Sequence, residues 1–117
     1  MSTADPLHLP GMQVEVALWV EHNFPGTTRG SDALGLAEEV GEVCRAVLKQ
    51  EQAIRGTHDE WQAEIEKELG DVVIKALSVA QTCGIDLESA VLARWNTIKQ
   101  RDFRADANGH GLPEEPS

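Results

Sequence analysis

The stretch ELGDVVIKALSVA, residues 68–80, decides the fold. At 100° per residue its apolar side chains cover nearly the whole circumference of a helix, and no strand-like alternation interrupts them. A helix that is apolar on all sides must be buried on all sides. We expect a second copy of the chain to cover part of this surface, at Val73, Ile74 and Leu77. The alternative is a central helix covered by other helices of the same chain.

Capping residues and helix breakers around this stretch divide the chain into four helices. We predict them over residues 12–24, from Ser31 or Asp32 to about 55, from Thr57 to about 83, and from Asp86 to about 104. Short turns between helices favour an antiparallel four-helix bundle, so the fold class is all-α. Residues 1–104 then form one domain with an extended segment at 1–11, and residues 105–117 have the polar composition of a mobile tail.

Composition excludes several classes of protein. Among 117 residues, 20 are acidic and 10 basic, and a net charge of −10 disfavours binding to nucleic acid or anionic lipid. No uncharged run approaches the roughly 20 residues that span a bilayer, and the N-terminus does not resemble an export signal. The two cysteines form no CxxC motif. We expect a cytoplasmic protein without nucleic-acid or membrane partners.

Two pairs of carboxylates stand out against the apolar pattern. Glu39 and Glu42 are three residues apart on the second predicted helix, and Glu68 and Asp71 repeat that spacing on the third. Each pair projects from one helix face, where like charges cost stability. Small residues flank the first pair one turn before and after it. If these two helices are antiparallel neighbours, four carboxylates converge in a partly desolvated cleft.

Such a cleft requires either protons or bound cations, because four carboxylates cannot all stay ionised at close range. Carboxylate oxygens are hard ligands, and no His or Cys stands at a useful helical spacing. The pattern therefore favours Mg²⁺, with Mn²⁺ as a substitute, over Zn²⁺. The chemistry that this indicates is attack at phosphorus by a metal-activated water. The alternative is that both acidic faces are simply solvated.

At these residues the sequence resembles the MazG-like all-α nucleoside triphosphate pyrophosphohydrolases and is similar to the small dCTP pyrophosphatases. Their signature ExxE followed by ExxD corresponds to Glu39 to Glu42 and Glu68 to Asp71. The likeness extends through LAEEVGEV at 36–43, KELGDVVIKAL at 67–77 and CGIDLESAVLARW at 83–95.

The resemblance implies a Mg²⁺-dependent hydrolase that splits a (d)NTP into (d)NMP and pyrophosphate by attack at the α phosphate, with a role in cleaning nucleotide pools. It also implies a homodimer or homotetramer with sites built at subunit contacts. Two positions depart from relatives. Arg45 stands where some carry a further acid, and Arg94 is followed four residues later by Ile98 rather than Asn, which affects recognition of the base and sugar.

These patterns assign roles to individual residues. The predicted metal ligands are Glu39, Glu42, Glu68 and Asp71. Glu38 and Glu64 are candidates for orienting water or acting as the base, although Glu64 also suits the positive end of its helix. The candidates for substrate binding are Lys75, Arg94, Lys99, Arg101 and Trp61. For Lys75 the alternative is an ion pair with Asp71 on its own helix.

Two other functions are compatible with acid pairs on a helical bundle. The first is hydrolysis of phosphoribosyl-ATP, which similar pairs perform in the same superfamily. The second is a non-catalytic nucleotide-sensing or assembly module. The GIDL turn at 84–87 favours the MazG-like branch, and the intact acid pairs disfavour the module, which has no use for clustered negative charge.

Overall fold

A computed structural model of the chain describes residues 7–104. Over this range the chain forms four α-helices and no strand, which confirms the all-α prediction. The helices are α1 Leu9–Asn23, α2 Arg29–Gln52, α3 His58–Thr82 and α4 Leu87–Ile98. None of these four is both long and apolar enough to cross a bilayer. The predicted tail, 105–117, and most of the predicted N-terminal segment lie outside the described residues.

Helices α3 and α4 begin where the local sequence predicts. The Thr57 hydroxyl accepts the Glu60 N–H at 3.1 Å, and the Glu60 carboxylate accepts the Thr57 N–H at 2.9 Å. This reciprocal pair satisfies two of the N–H groups that a helix start leaves without partners. Asp86 caps α4 by accepting the Ser89 N–H at 3.4 Å.

Helices α1 and α2 begin earlier than predicted. Nδ1 of His8 accepts the Gly11 N–H at 3.1 Å, so α1 begins at Leu9 and residues 9–11 are helical rather than extended. Thr28 caps α2 through a capping box with Ser31, which corrects the assignment of Ser31 or Asp32 as the cap. Asp32 therefore lies inside the first turn of α2, where its carboxylate accepts a hydrogen bond from Ser78 of α3 instead of capping the helix.

Two helices end earlier than predicted. After Gln52 the backbone of Ala53 takes a φ of 55°, which stops α2 before residue 55. Helix α4 ends at Ile98, six residues short of the predicted end, and Lys99 follows it as the C-cap. Gly84 stops α3 as predicted, with a φ of 68°.

Helices α2 and α3 form an antiparallel hairpin with the largest helix interface of the chain. At one end Ser78 of α3 donates to Asp32 of α2, and at the other Gln50 of α2 donates to Gln62 of α3. Helix α1 packs on α3, and α4 makes its main contact with α1. The hairpin therefore carries the fold, and α4 lies at its periphery.

The buried core of the described chain is small. Its buried apolar side chains are Val16, Ala46, Leu77 and Ala80, and its buried polar ones are Gln13, Asp32, Glu68 and Ser78. Leu77 is completely buried within one chain, so its predicted exposure toward a second copy is wrong. Val73 and Ile74 are each 44 % exposed, as that prediction requires. Helices α1 and α2 both pack on α3, and Leu77 lies in the stretch of α3 where Ser78 and Ala80 are buried as well.

Candidate metal site and adjoining cleft

Glycine and alanine on α2 set how α2 and α3 face each other. Gly35 lies so close to Lys75 that a Cβ at position 35 would come 2.9 Å from Lys75 Cε. Ala46, further along the same face of α2, is 1 % exposed. Small side chains let the two backbones approach closely over several turns. This register brings Glu39, one turn after Gly35, opposite the acids of α3.

Three of the four predicted metal ligands meet across this interface. Glu39, Glu68 and Asp71 each offer one carboxylate oxygen, and the three oxygens lie within 4.8 Å of one another. Glu68 is 5 % exposed, and the other two are half-buried. We call these three residues the acid cluster. All of its donors are oxygens, the ligand type that Mg²⁺ and Mn²⁺ prefer.

The electrostatics of the acid cluster favour a cation. Burial raises the pKa of the Glu68 carboxyl above its ordinary value, and hydrogen bonding with the Glu64 and Glu39 carboxyls raises it further. Lys67 acts in the opposite direction but does not cancel the rise. Without a cation, Glu68 therefore holds its proton more tightly than a solvated acid. A divalent ion would supply the missing positive charge, so the residues present fit such an ion.

Lys67 is a neighbour of the acid cluster that the sequence analysis did not single out. Its ammonium lies 3.6 Å from Oε1 of Glu64 and 3.5 Å from Oε1 of Glu68. These two carboxylates raise the pKa of Lys67, and the charge of Glu64 is the largest single cause. The spacing of three residues between Glu64 and Lys67 is the sequence signal that identifies the pair.

The remaining predicted acids occupy different environments. Glu42 is exposed and lies outside the acid cluster, so its role as fourth ligand stays a prediction. The side chain of Glu64 is 38 % exposed, and the ammonium of Lys67 contacts both Glu64 and Glu68. Glu38 is exposed, as expected for a residue 100° around the helix from Glu39.

The predicted substrate-binding residues are spread over the chain. Lys75 pairs with Asp32 of α2 at 3.6 Å rather than with Asp71 of its own helix. Trp61 donates its indole N–H to the Ile54 carbonyl at 3.1 Å, and the Arg45 guanidinium lies over its ring. The other three predicted residues, Arg94, Lys99 and Arg101, lie in or just after α4, whose main contact is with α1.

A cleft between α1 and α3 adjoins the acid cluster, and the sequence analysis did not foresee it. Its volume is about 420 Å³, and Asp71 contributes to both the cleft and the cluster. The lining residues are Met12, Glu15, Val16, Trp19, Asp71 and Ile74. The spacing of three and four residues between the α1 members marks a single face of that helix. Only the packing of α1 on α3 brings this face to Asp71.

Comparison with known proteins adds to this geometry. A family model described as the MazG nucleotide pyrophosphohydrolase domain matches residues 28–103. The dATP/dGTP diphosphohydrolase of cyanophage S-2L is 28 % identical over 104 residues, which cover 89 % of this chain and 86 % of that protein. A solved structure of the cyanophage S-2L MazG-like pyrophosphohydrolase, bound to dGDP and three catalytic Mn²⁺ ions per active site, matches with a TM-score of 0.60 at 25 % identity. That match covers 92 % of this chain and 95 % of the other.

Proposed function

Because the chain belongs to the MazG nucleotide pyrophosphohydrolase family, we propose that it hydrolyses a (d)NTP to the (d)NMP and pyrophosphate with the help of divalent cations. The observation that carries this proposal is the acid cluster of Glu39, Glu68 and Asp71 beside a cleft of nucleoside size. The cluster suits the metal and phosphates, and the cleft suits the base and sugar. A role in cleaning cytoplasmic nucleotide pools is consistent with this activity.

We assign the divalent cations to Glu39, Glu68 and Asp71, with Glu42 as a fourth ligand. Mg²⁺ is the proposed ion and Mn²⁺ a substitute, because both prefer oxygen donors. The structural relative is described with Mn²⁺, which agrees with such a donor set. When bound, the cations would neutralise the carboxylates, polarise the phosphate oxygens and activate a water molecule.

The reaction then requires one proton acceptor and one leaving group. The water oxygen forms a bond to the α phosphorus, and the bond from that phosphorus to the α–β bridging oxygen breaks. Pyrophosphate leaves with the electron pair. Glu64, partly exposed and next to Glu68, is placed to accept the water proton. Glu38 is the second candidate for this role.

We place the nucleobase in the cleft between α1 and α3. Trp19 lines this cleft and is 58 % exposed, so its indole offers an open surface for stacking on a base. The curated relative is named for dATP and dGTP, and purine deoxynucleotides are accordingly the substrates that we propose. Helix α1 lines this cleft although it precedes residues 28–103, which the family model matches. The proposed functional domain therefore includes α1 and extends over residues 1–104.

Four basic side chains are proposed to contact the triphosphate, namely Lys75, Arg94, Lys99 and Arg101. Trp61 is proposed as a further substrate contact. The side chain of Lys75 is 35 % exposed. The other three basic residues lie in or just after α4, the helix that is peripheral within one chain. They would reach a triphosphate most directly in an assembly where α4 of one protomer faces the α2–α3 hairpin of another.

A homodimer or homotetramer is therefore part of the proposal. Helix α4 has no buried residue, and its apolar residues Val91, Leu92 and Trp95 are each about half exposed, at 48 %, 54 % and 56 %. Contiguous apolar surface of this kind is typical of a protein interface. Covering it with a second copy would bury α4 and bring its cations toward another active site.

Product analysis tests the reaction. The full chain is incubated with each common NTP and dNTP in Mg²⁺ and in Mn²⁺, and the products are separated by anion-exchange chromatography. We expect the monophosphate and pyrophosphate to appear together, without a diphosphate intermediate, and fastest with purine deoxynucleotides. Accumulation of nucleoside diphosphate with orthophosphate would instead identify a phosphatase acting at the γ phosphate. If none of the nucleotides yields pyrophosphate, the assignment as a pyrophosphohydrolase is rejected.

A further inference from the structure

Asp32 is a buried carboxylate that the proposed reaction does not use. It is 2 % exposed. Its Oδ2 accepts hydrogen bonds from the hydroxyls of Ser78 at 2.7 Å and Thr82 at 3.4 Å. Its Oδ1 lies 3.6 Å from the Lys75 ammonium. Burying a carboxylate costs free energy unless hydrogen bonds and an opposite charge offset it, and the partners of Asp32 supply both, with the ammonium of Lys75 at Oδ1.

The partner that Lys75 takes is not the one that its helix offers. Asp71 precedes Lys75 by four residues, and an acid four residues before a lysine is the arrangement that stabilises an ion pair within a helix. In the described chain the ion pair of Lys75 is instead with Asp32, on the neighbouring helix. Asp32 lies two turns before Glu39 on α2. The ammonium is therefore directed away from the acid cluster.

Gly35 opens the path that the Lys75 side chain follows. A Cβ at position 35 would lie 2.9 Å from Lys75 Cε and 3.1 Å from its Nζ. Contacts this short would displace the end of the lysine side chain. Gly35 thus leaves room for the Lys75 side chain, and the carboxylate of Asp32 binds the ammonium at its end.

We propose that Asp32 is a positioning residue that, together with Gly35, keeps the Lys75 ammonium out of the acid cluster and so leaves the cluster available to a divalent cation. An ammonium drawn in among Glu39, Glu68 and Asp71 would neutralise part of their charge and compete with the metal for the same oxygens. This inference rests on the proposed metal site. It adds a contact between α2 and α3, two turns before Glu39 on α2, that holds the Lys75 ammonium away from the site.

The test measures Mn²⁺ binding to the full-length chain by isothermal titration calorimetry, without nucleotide. Asp32→Asn keeps the shape of the side chain and an oxygen for Ser78 but removes the charge that holds Lys75. We expect Mn²⁺ affinity to fall about tenfold, the size of effect common for groups that orient metal ligands. The double variant Asp32→Asn with Lys75→Gln should recover the affinity, because the competing ammonium is gone.

Two further variants make the test specific. Glu51→Gln removes one negative charge from an exposed position of α2, and it should leave Mn²⁺ affinity unchanged. Gly35→Ala displaces the lysine without altering any charge, so it should weaken Mn²⁺ binding and be rescued by Lys75→Gln in the same way. If Asp32→Asn does not fold, as judged by circular dichroism, the Gly35→Ala pair decides the question.

Loss of affinity in Asp32→Asn with recovery in the double variant supports the proposal. Unchanged affinity in Asp32→Asn or, where that variant does not fold, in Gly35→Ala overturns it. Loss that Lys75→Gln does not repair also overturns it, because Asp32 would then act only on the structure of the hairpin. If the wild-type chain binds no Mn²⁺, the proposed metal site and the proposed function are both rejected. Unchanged affinity, or a loss that Lys75→Gln does not repair, rejects only the role of Asp32.

Discussion

The side-chain oxygen of Gln13 accepts the backbone N–H of Leu87 at 3.2 Å, which ties the first helix to the start of the last. The amide nitrogen of the same side chain donates to the Ile85 carbonyl at 2.7 Å and to the side-chain oxygen of Gln81 at 3.1 Å. Gln13 is 8 % exposed. Since α4 has no buried residue of its own, this buried amide is a principal connection that sets where α4 lies.

Replacement of Gln13 by Leu should therefore destabilise the chain and loosen α4 first. Three hydrogen bonds disappear and partly buried backbone groups lose their partners, for a cost of about 2–4 kcal/mol. Urea denaturation measures this cost, and hydrogen exchange should show the largest loss of protection in α4. Gln52→Leu, at an exposed position at the end of α2, is the matched control and should change stability by less than about 0.5 kcal/mol.

Neutralising any one of the proposed metal ligands should nearly abolish activity. We expect Glu39→Gln, Glu68→Gln, Asp71→Asn and Glu42→Gln each to reduce turnover by at least ~100-fold, because the metal loses a ligand and the transition state loses charge stabilisation. Steady-state pyrophosphate release is the measurement. Glu66→Gln, at an exposed position on α3, is the control and should retain activity. Near-normal turnover in two of the four variants would sink the assignment.

The stability of the metal-free chain should depend on pH through Glu68. Burial and neighbouring carboxyls raise the folded-state pKa of Glu68 above its ordinary value of 4.5. Because the folded chain then binds this proton more tightly than the unfolded chain, the contribution of Glu68 to stability is greatest below pH 4.5 and is lost as pH rises through the raised pKa.

Urea denaturation with a metal chelator present, at a series of pH values from 4.5 upward, measures this dependence. The difference in unfolding free energy between Glu68→Gln and wild type should grow in favour of the variant as pH rises. The same series on Glu66→Gln corrects for the general loss of one charge. A difference that stays constant with pH would contradict the raised pKa.

Trp19 should contribute to nucleotide binding more than to the chemical step. Removing a stacking surface of this size costs about 1–3 kcal/mol per base, so Trp19→Ala should raise KM by roughly 5- to 150-fold and change kcat much less. Trp19→Phe, which keeps an aromatic face, should recover most of the affinity. An unchanged KM in Trp19→Ala would place the base outside the cleft between α1 and α3.

Charge on the apolar face of α4 should disrupt the proposed assembly. Leu92→Glu introduces a carboxylate at a residue that is 54 % exposed in one chain and buried in the expected interface. Analytical ultracentrifugation should show a shift from the assembly toward the monomer, with loss of activity. Ala93→Glu adds the same charge to the opposite face of α4 and should leave the assembly intact. A wild-type chain that is an active 12.8 kDa monomer would refute the proposal.

Helix starts show how far local sequence carries a prediction. Thr57 with Glu60, and Asp86 alone, cap their helices as predicted, since a cap depends on groups within three residues. For α2 the sequence predicts Ser31 or Asp32 as the cap, and this is wrong because Thr28, three residues before Ser31, caps the helix. Thr28 takes the cap while the Asp32 carboxylate turns inward to Ser78, a residue 46 positions away that no local pattern identifies.

The sequence by itself determined the all-α class, the two acid pairs and the family, because helical periodicity, capping and motif spacing are properties of neighbouring residues. Only the tertiary structure decided that Glu39 meets Glu68 and Asp71 while Glu42 stays outside, that Leu77 is buried, and that Lys75 pairs with Asp32. These outcomes depend on the register between two antiparallel helices. That register follows from how closely small residues such as Gly35 and Ala46 let the helices approach, and contacts between distant segments decide it.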